Sequence, residues 1–142
     1  MSNAATITSV PIEEIKVGME VSCNLLITDH AVRTFAEISG DKNPIHIDEE
    51  YAKKSRFKKR IAHGLMSASL FSNLFGTQLP GEGCVYAAQS LNFKRPVYIG
   101  DDVIATATVE KINLDTKRVF FKTVCKVNNK VVIDGHAELF VP

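Results

Sequence analysis

Two side chains five positions apart, Asp41 and His46, are the residues of this sequence whose types and spacing suit acid-base chemistry. A carboxylate and an imidazole aimed at one water or one substrate atom form a general base and acid pair, each able to act near neutral pH. Neither a regular helix nor a regular strand brings together residues at this spacing. The intervening Asn43-Pro44 does so, because Pro44 lacks an N–H and biases Asn43 towards extended backbone; a fixed turn is expected here rather than continuing helix. An Asp directly after a helix-ending Gly40 is also ordinary turn chemistry, so the pair taken bare leaves both readings open.

The other chemistry-bearing residues are sparser in meaning. His63 reads as a packing residue at a helix start, and His30 and His136 have no catalytic context. Cys23, Cys84 and Cys125 are odd in number and lack CxxC or Cys/His spacing, so neither a disulfide framework nor a metal site is expected, and they read as buried thiols in a reducing compartment. Lys53, Lys54, Arg56, Lys58, Lys59 and Arg60 crowd into one short run. Such a run is either a solvated face or a grip for phosphates, those of coenzyme A or of an acidic carrier protein. Phe57 alone does not supply the interleaved aromatics of a nucleic-acid surface, and 17 Lys and Arg against 16 Asp and Glu leave no global field to recruit nucleic acid or a membrane. No Gly-rich phosphate loop or nucleophile elbow is present.

The elements that must position these residues are legible from periodicity. Residues 61–81 carry no Asp, Glu, Lys or Arg, and 63–75 read as one helix with apolar or small residues on all sides. Such a helix is buried on most faces and organises the rest. Its serines, Asn73 and interrupting glycines oppose a membrane span, and Pro80-Gly81 ends it. Before it, residues 20–28 alternate as a half-buried strand, Thr28 caps a helix over Asp29–Ser39 with a stripe of Val32, Phe35, Ala36 and Ile38, and Gly40 closes that helix. Asp48 caps a short helix over 49–54. After it the period changes to two: strands are expected over 85–95, 103–112, 119–127 and 131–141. In the last three the odd positions are the more apolar, Val131 among them, as in an antiparallel sheet that covers something on one face. The fold class is therefore α+β, a sheet wrapped round a long central helix in a single domain over 1–142. Residues 1–12 form an N-terminal arm with a short strand near Val10; Ser2-Asn3-Ala4 has the form of a cloning remnant. The start of the chain shows no secretory leader, which leaves the cytoplasm as the expected compartment.

Ser39-Gly40-Asp41-Lys42-Asn43-Pro44-Ile45-His46, then Ile61-Ala62-His63-Gly64, then Gln89-Ser90-Leu91-Asn92-Phe93-Lys94-Arg95-Pro96-Val97 with Gly100-Asp101, resemble in order and spacing the MaoC-like dehydratases, or (R)-specific enoyl-CoA hydratases. The resemblance covers roughly residues 28–142 and implies the hot-dog fold, the architecture that periodicity suggests independently. It implies Asp41 and His46 as the catalytic pair, Asn43 as a residue that sets the loop, Ser72 as a hydrogen-bonding residue of the site, and the Gly64 N–H as donor to the thioester oxygen. By position alone Ser72 reads equally as a small residue bonded to a helix carbonyl. The implied reaction is reversible hydration of trans-2-enoyl-CoA to (R)-3-hydroxyacyl-CoA with no cofactor or metal, coenzyme A entering as the substrate thioester. Alternatives are a dehydratase of 3-hydroxyacyl-carrier-protein, a hot-dog thioesterase, and a non-catalytic acyl-thioester binding module. A homodimer is expected, since one such unit leaves a sheet edge unpaired.

Overall fold

A computed structural model describes residues 6–142. The candidate remnant Ser2-Asn3-Ala4 and the start of the arm lie outside the described residues. From Thr8 onward the arm lies along the far end of the central helix, with Thr8 N donating to Thr77 O at 3.0 Å and Val10 N to Pro80 O at 2.9 Å. The short strand expected near Val10 is a single bridge between Ser9 and Gly81.

Strand β1 (Glu20–Leu26) leads into helix α1 (Asp29–Ser39), two short helices α2 (Pro44–Ile47) and α3 (Glu49–Lys53), and the central helix α4 (Gly64–Thr77). The signals at the ends of α1 act as their chemistry requires. Thr28 Oγ1 accepts from Ala31 N at 3.0 Å, and Gly40 adopts the left-handed φ of 79° that ends the helix. Strands β2 (Val85–Gln89), β3 (Asn92–Phe93), β4 (Asp102–Asn113), β5 (Arg118–Val127) and β6 (Lys130–Phe140) follow. They form one antiparallel sheet in the order β1-β4-β5-β6-β2, with β3 also on β6. Asn128 and Asn129, at φ 48° and 68°, make the tight β5–β6 turn, which suits two left-handed residues.

The sheet curls round α4, as both the alternation and the resemblance predict. Val103, Ala105, Ala107 and Val109 of β4 and Val119, Phe121 and Cys125 of β5 are fully or almost fully buried against Phe71, Leu74 and Phe75 of α4. Burial of this apolar surface, at roughly 25 cal/mol per Å², is the main favourable term holding helix to sheet.

Three expectations need correction. The strand over 85–95 is split into β2 and β3, although the pairing with β6 keeps one register: Gln89 faces Ala137 and Asn92 faces Asp134. At the gap the Ser90 carbonyl crosses Gly135 so closely that a Cβ there would lie 1.8 Å from the oxygen, so the ladder opens where the partner strand has no side chain. In β6 a register shift between Cys125 and Lys126 makes Val132 the buried residue and leaves Val131 half-buried. Ile38 does not join the stripe of α1; it is 80% exposed. The helix α4 is buried on most faces, and Leu65, Ser69, Ser72, Asn73 and Gly76 form its one exposed stripe, beside β2. No helix among the described residues is long and apolar enough to cross a membrane.

Candidate active site

Between α1 and α4 the chain is held by a succession of local bonds. Ser39 Oγ accepts from Asp41 N at 3.1 Å, Asp41 Oδ1 from Asn43 N at 3.2 Å, and Asn43 Oδ1 from Ile45 N at 3.3 Å. Each side chain reaches two residues forward, the reach of Asx and Ser turns. Asn43 thereby caps α2, and Pro44 takes its first position, where a missing N–H costs nothing. The fixed turn expected at Asn43-Pro44 is thus one turn of helix, and that turn swings His46 back towards Asp41.

His46 is 8% exposed. Its Nδ1 lies 2.7 Å from the Ile61 carbonyl oxygen. A carbonyl only accepts, so Nδ1 carries the hydrogen and Nε2 presents a bare lone pair. That Nε2 lies 3.9 Å from Asp41 Oδ2, too far for a direct hydrogen bond and suitable for one water between them. Burial holds the His46 imidazole below the ordinary histidine range, with the neighbouring His63 adding to the effect and the Ile61 bond and Asp41 opposing it. His46 is therefore neutral at pH 7, and the site holds a base, a carboxylate and room for water.

The first turn of α4 faces this pair. Met66 N donates to the His63 carbonyl at 3.1 Å, while the N–H groups of Gly64 and Leu65 have no acceptor among the described residues, and the 14-residue helix places a partial charge of roughly +0.5 there. Gly64 occupies the first position because Phe93 leaves no room for more: a Cβ would meet the Phe93 ring at 2.4 Å. Gly64, His46 and Phe93 together border two cavities. One, of ≈420 Å³, is completed by Phe35, Asp41 and Leu65, and the other, of ≈320 Å³, by Arg56, Lys94 and Arg95 among others.

The remaining expected residues are distributed unevenly. Ser72 does not join the pair within one chain; it is exposed about 12 Å along the axis from Gly64 and lines a separate groove with Leu65, Tyr86 and Gln89. Of the basic run only Arg56 borders the His46 cavity. Lys53 pairs with Glu50 at 3.1 Å, Lys59 lies over the Tyr98 ring, and Lys54 and Lys58 are exposed. Arg60 is withdrawn from the candidate phosphate ligands. It is 5% exposed, donates from Nε to the His46 carbonyl at 2.7 Å, and pairs with Asp29 at 2.7 Å and Glu49 at 3.2 Å. This guanidinium, and then Arg33, hold the Asp29 carboxyl below its usual range. Lys94 and Arg95, missed as cations of the site, supply its basic rim; their sequence signals were a place in the resembling stretch 89–97 and a position just before Pro96.

Asp41, His46 and His63 bring potential ligand atoms within 4.8 Å of one another. The two imidazoles, however, are stacked at 3.8 Å with planes only 26° apart. In-plane lone pairs so nearly parallel do not converge on one ion at the ~109° of a tetrahedral site.

The chain is similar to known proteins over most of its length. The family model described as MaoC like domain matches residues 11–135. An (R)-specific enoyl-CoA hydratase of Rhodospirillum rubrum is 48% identical over 92% of this chain and 90% of its own length. A 3-hydroxybutyryl-CoA dehydratase of Methylorubrum extorquens is 43% identical over 92% of this chain and 83% of its own. Among solved structures, the unliganded R-hydratase PhaJ1 of Pseudomonas aeruginosa superposes with a TM-score of 0.91 at 38% identity, over 96% of this chain and 88% of that one.

The placement of Arg60 separates the basic run into a buried part and a solvated part. Arg60→Met leaves the His46 carbonyl without its donor and is expected to lower stability by about 1–3 kcal/mol. Lys54→Gln is expected to change it by less than about 0.5 kcal/mol. Urea unfolding midpoints of the two variants measure the difference; equal midpoints would count against the clamp.

Proposed function

We propose, because the chain belongs to the MaoC-like domain family, that it adds water reversibly to trans-2-enoyl-CoA to give (R)-3-hydroxyacyl-CoA. It is a hydro-lyase, an enoyl-CoA hydratase in one direction and a 3-hydroxyacyl-CoA dehydratase in the other. The observation that carries the mechanism is the bare Nε2 of His46, facing Asp41 Oδ2 across 3.9 Å beside the first turn of α4.

Hydration places hydroxyl on Cβ and a proton on Cα, through an enolate-like state whose charge gathers on the thioester oxygen. The sequence reading makes Asp41 the base that activates water and His46 the group that orients it and passes a proton to Cα, two assignments that can be exchanged without altering the overall reaction. The hydrogen on Nδ1 and the neutral imidazole favour His46. Water gives its oxygen and one hydrogen to Cβ, its other proton passes to Nε2, and the imidazolium returns that proton to Cα. The Asp41 carboxylate accepts the O–H that stays with oxygen and offsets the transient positive charge. Asn43 keeps Asp41 Oδ1 occupied, so that Oδ2 is the free oxygen. The Gly64 N–H, with the helix dipole behind it, meets the thioester oxygen as its charge grows. The proton balance closes without a redox group or a Lewis acid. Arg56, Lys94 and Arg95 at the cavity rim receive the phosphates of coenzyme A.

The active form is a homodimer. Strand β2, Val-Tyr-Ala-Ala-Gln, ends the sheet without a charge or a proline and, among the described residues, without a covering element, and its Val85 is 53% exposed. Beside it runs the exposed stripe of α4, with Leu65 60% exposed. A strand edge and an apolar groove on one surface call for a second copy, which continues the sheet and covers the groove.

Four outcomes are expected. Asp41→Asn and His46→Gln each lower kcat about 10² to 10⁴-fold with acyl-CoA affinity largely kept, and the double variant is little worse than the poorer single, as loss of the conjugated thioester absorbance would show. Near-native turnover in both folded singles would place the site elsewhere. Because burial depresses the His46 pKa, the acid limb of kcat/KM in the wild type lies below the ordinary histidine range.

Charge reversal at Arg56 and Lys94 raises KM several-fold with little change in kcat, since remote phosphates interact alike in ground and transition states. An unchanged KM at low salt would sink the phosphate assignment. Light scattering gives a dimer for the wild type and a shift towards monomer for Ala87→Lys, which puts a charge on the unprotected edge; a fully active wild-type monomer at micromolar concentration would refute the dimer.

A further inference from the structure

We infer that His63 is a positioning residue of the acid-base pair, tying the backbone of Asp41 to the ring of His46 so that both meet one water. The inference rests on the hydratase reading above. His63 stands at the N-cap of α4, where Ser, Thr, Asp or Asn would bond the free N–H groups, yet its side chain makes no cap bond. The helix therefore gives up about 1 kcal/mol of capping, and its first turn is left free for a ligand.

The ring is used elsewhere. Nε2 lies 2.8 Å from the Asp41 carbonyl oxygen, which can only accept, so Nε2 carries the hydrogen. The ring stacks on His46 at 3.8 Å, and Phe35 packs against it at 4.9 Å between centroids. Both histidines thus have their tautomers fixed by backbone carbonyls, Nδ1–H in His46 and Nε2–H in His63.

Packing alone does not account for a histidine here. Its Nδ1 is buried with no partner among the described residues, a cost of about 1–3 kcal/mol that Phe or Leu in the same place would avoid. What those residues lack is the hydrogen bond to Asp41. Through that bond His63 fixes the start of the loop, and through the stack it fixes the plane in which Nε2 of His46 points.

The charged and titratable groups around His46 are Asp41 and His63 beside its ring, Arg60 on its carbonyl, and Arg56, Lys94 and Arg95 round the cavity. Of these His63 opposes protonation of His46 from the closest stacked position. Replacing His63 relieves that opposition and moves the His46 midpoint upward, and with it the acid limb of kcat/KM.

The test uses His63→Phe, which keeps a stacked ring and loses the bond, and His63→Gln, whose amide restores a donor near the Nε2 position without the ring. Steady-state enoyl-CoA hydration is measured against pH, and the imidazole of His46 is titrated by NMR in all three proteins. The expected result is a kcat about 10- to 100-fold lower in the Phe variant, the scale of a small misplacement of catalytic groups, at nearly constant KM. Glutamine recovers most of that loss, and the acid limb and the His46 midpoint rise in both variants. A folded Phe variant with wild-type kcat and an unmoved midpoint would overturn the inference. Should that variant fail to fold, the His46 midpoint in the Gln variant decides, upward in support and unchanged against. A wild type without hydratase activity would count against the functional reading alone, and the NMR midpoints would still decide the role of His63.

Discussion

A single hydrogen bond, from Nδ1 of His46 to the carbonyl of Ile61, governs what the site can do. An imidazole free to exchange tautomers would offer its lone pair at Nε2 only part of the time, and a water-activating base needs it there always. Ile61 supplies that constraint from the segment leading into α4, so the loop of Asp41 and His46 and the central helix are joined at the ring itself. The Ile61 N–H in turn donates to the Ile45 carbonyl at 3.3 Å, and Arg60 holds the His46 carbonyl. Residues 45 and 46 are thus bonded to residues 60 and 61 by backbone and side chain together. The rigidity is local and polar, and it rests on a core that is local neither in sequence nor in polarity.

That core explains why the loop has a firm base. α4 is closed in by β1, β4, β5 and β6, and its N-terminal turn is fixed against Phe93 on the short strand β3. β3 reaches that position because the sheet opens at Ser90, opposite Gly135, and then resumes the same register. A side chain at residue 135 would push Ser90 away, shifting β3, Phe93 and the neighbouring Lys94 and Arg95 together. The glycine lies far from the chemistry in sequence and close to it in mechanical consequence.

The fold was largely legible because its signals are short-range and have one physical meaning. Thr28 before an apolar stripe and Gly40 after it could hardly be anything but caps, and alternation on β4 and β5 states which face is inward. Residues whose fate depends on partners brought from afar were misread. Arg60 looked like its neighbours Lys58 and Lys59 until the fold brought Asp29 and Glu49 to it. Val131 followed the period-two rule until a bulge, which leaves no composition signature, exchanged it with Val132. Ile38 satisfied the helical period although nothing packs on that part of α1. In the site, Asp41 and His46 were legible through motif order, whereas the tautomer of His46 depends on a carbonyl fifteen residues away, which no side-chain pattern reports. Ser72 was assigned by resemblance to a site that one chain does not build around it.

The exposed stripe of α4 carries the argument from site to assembly. Leu65 borders both the cavity that holds Asp41 and the groove that runs past Ser72 and Tyr86. A thioester with its oxygen at Gly64 has its acyl chain close to Leu65, at the mouth of that groove. In a lone chain the groove is open to water, and an acyl tail lying in it would remain largely solvated. Covering it with a second copy removes water from tail and walls alike, at about 0.8 kcal/mol for each methylene buried. The same contact satisfies the unpaired edge of β2. On the proposed reading, the surface that pairs two chains and the surface that takes the substrate's apolar end are adjoining parts of one face, so that substitutions along β2 bear on acyl binding as well as on assembly.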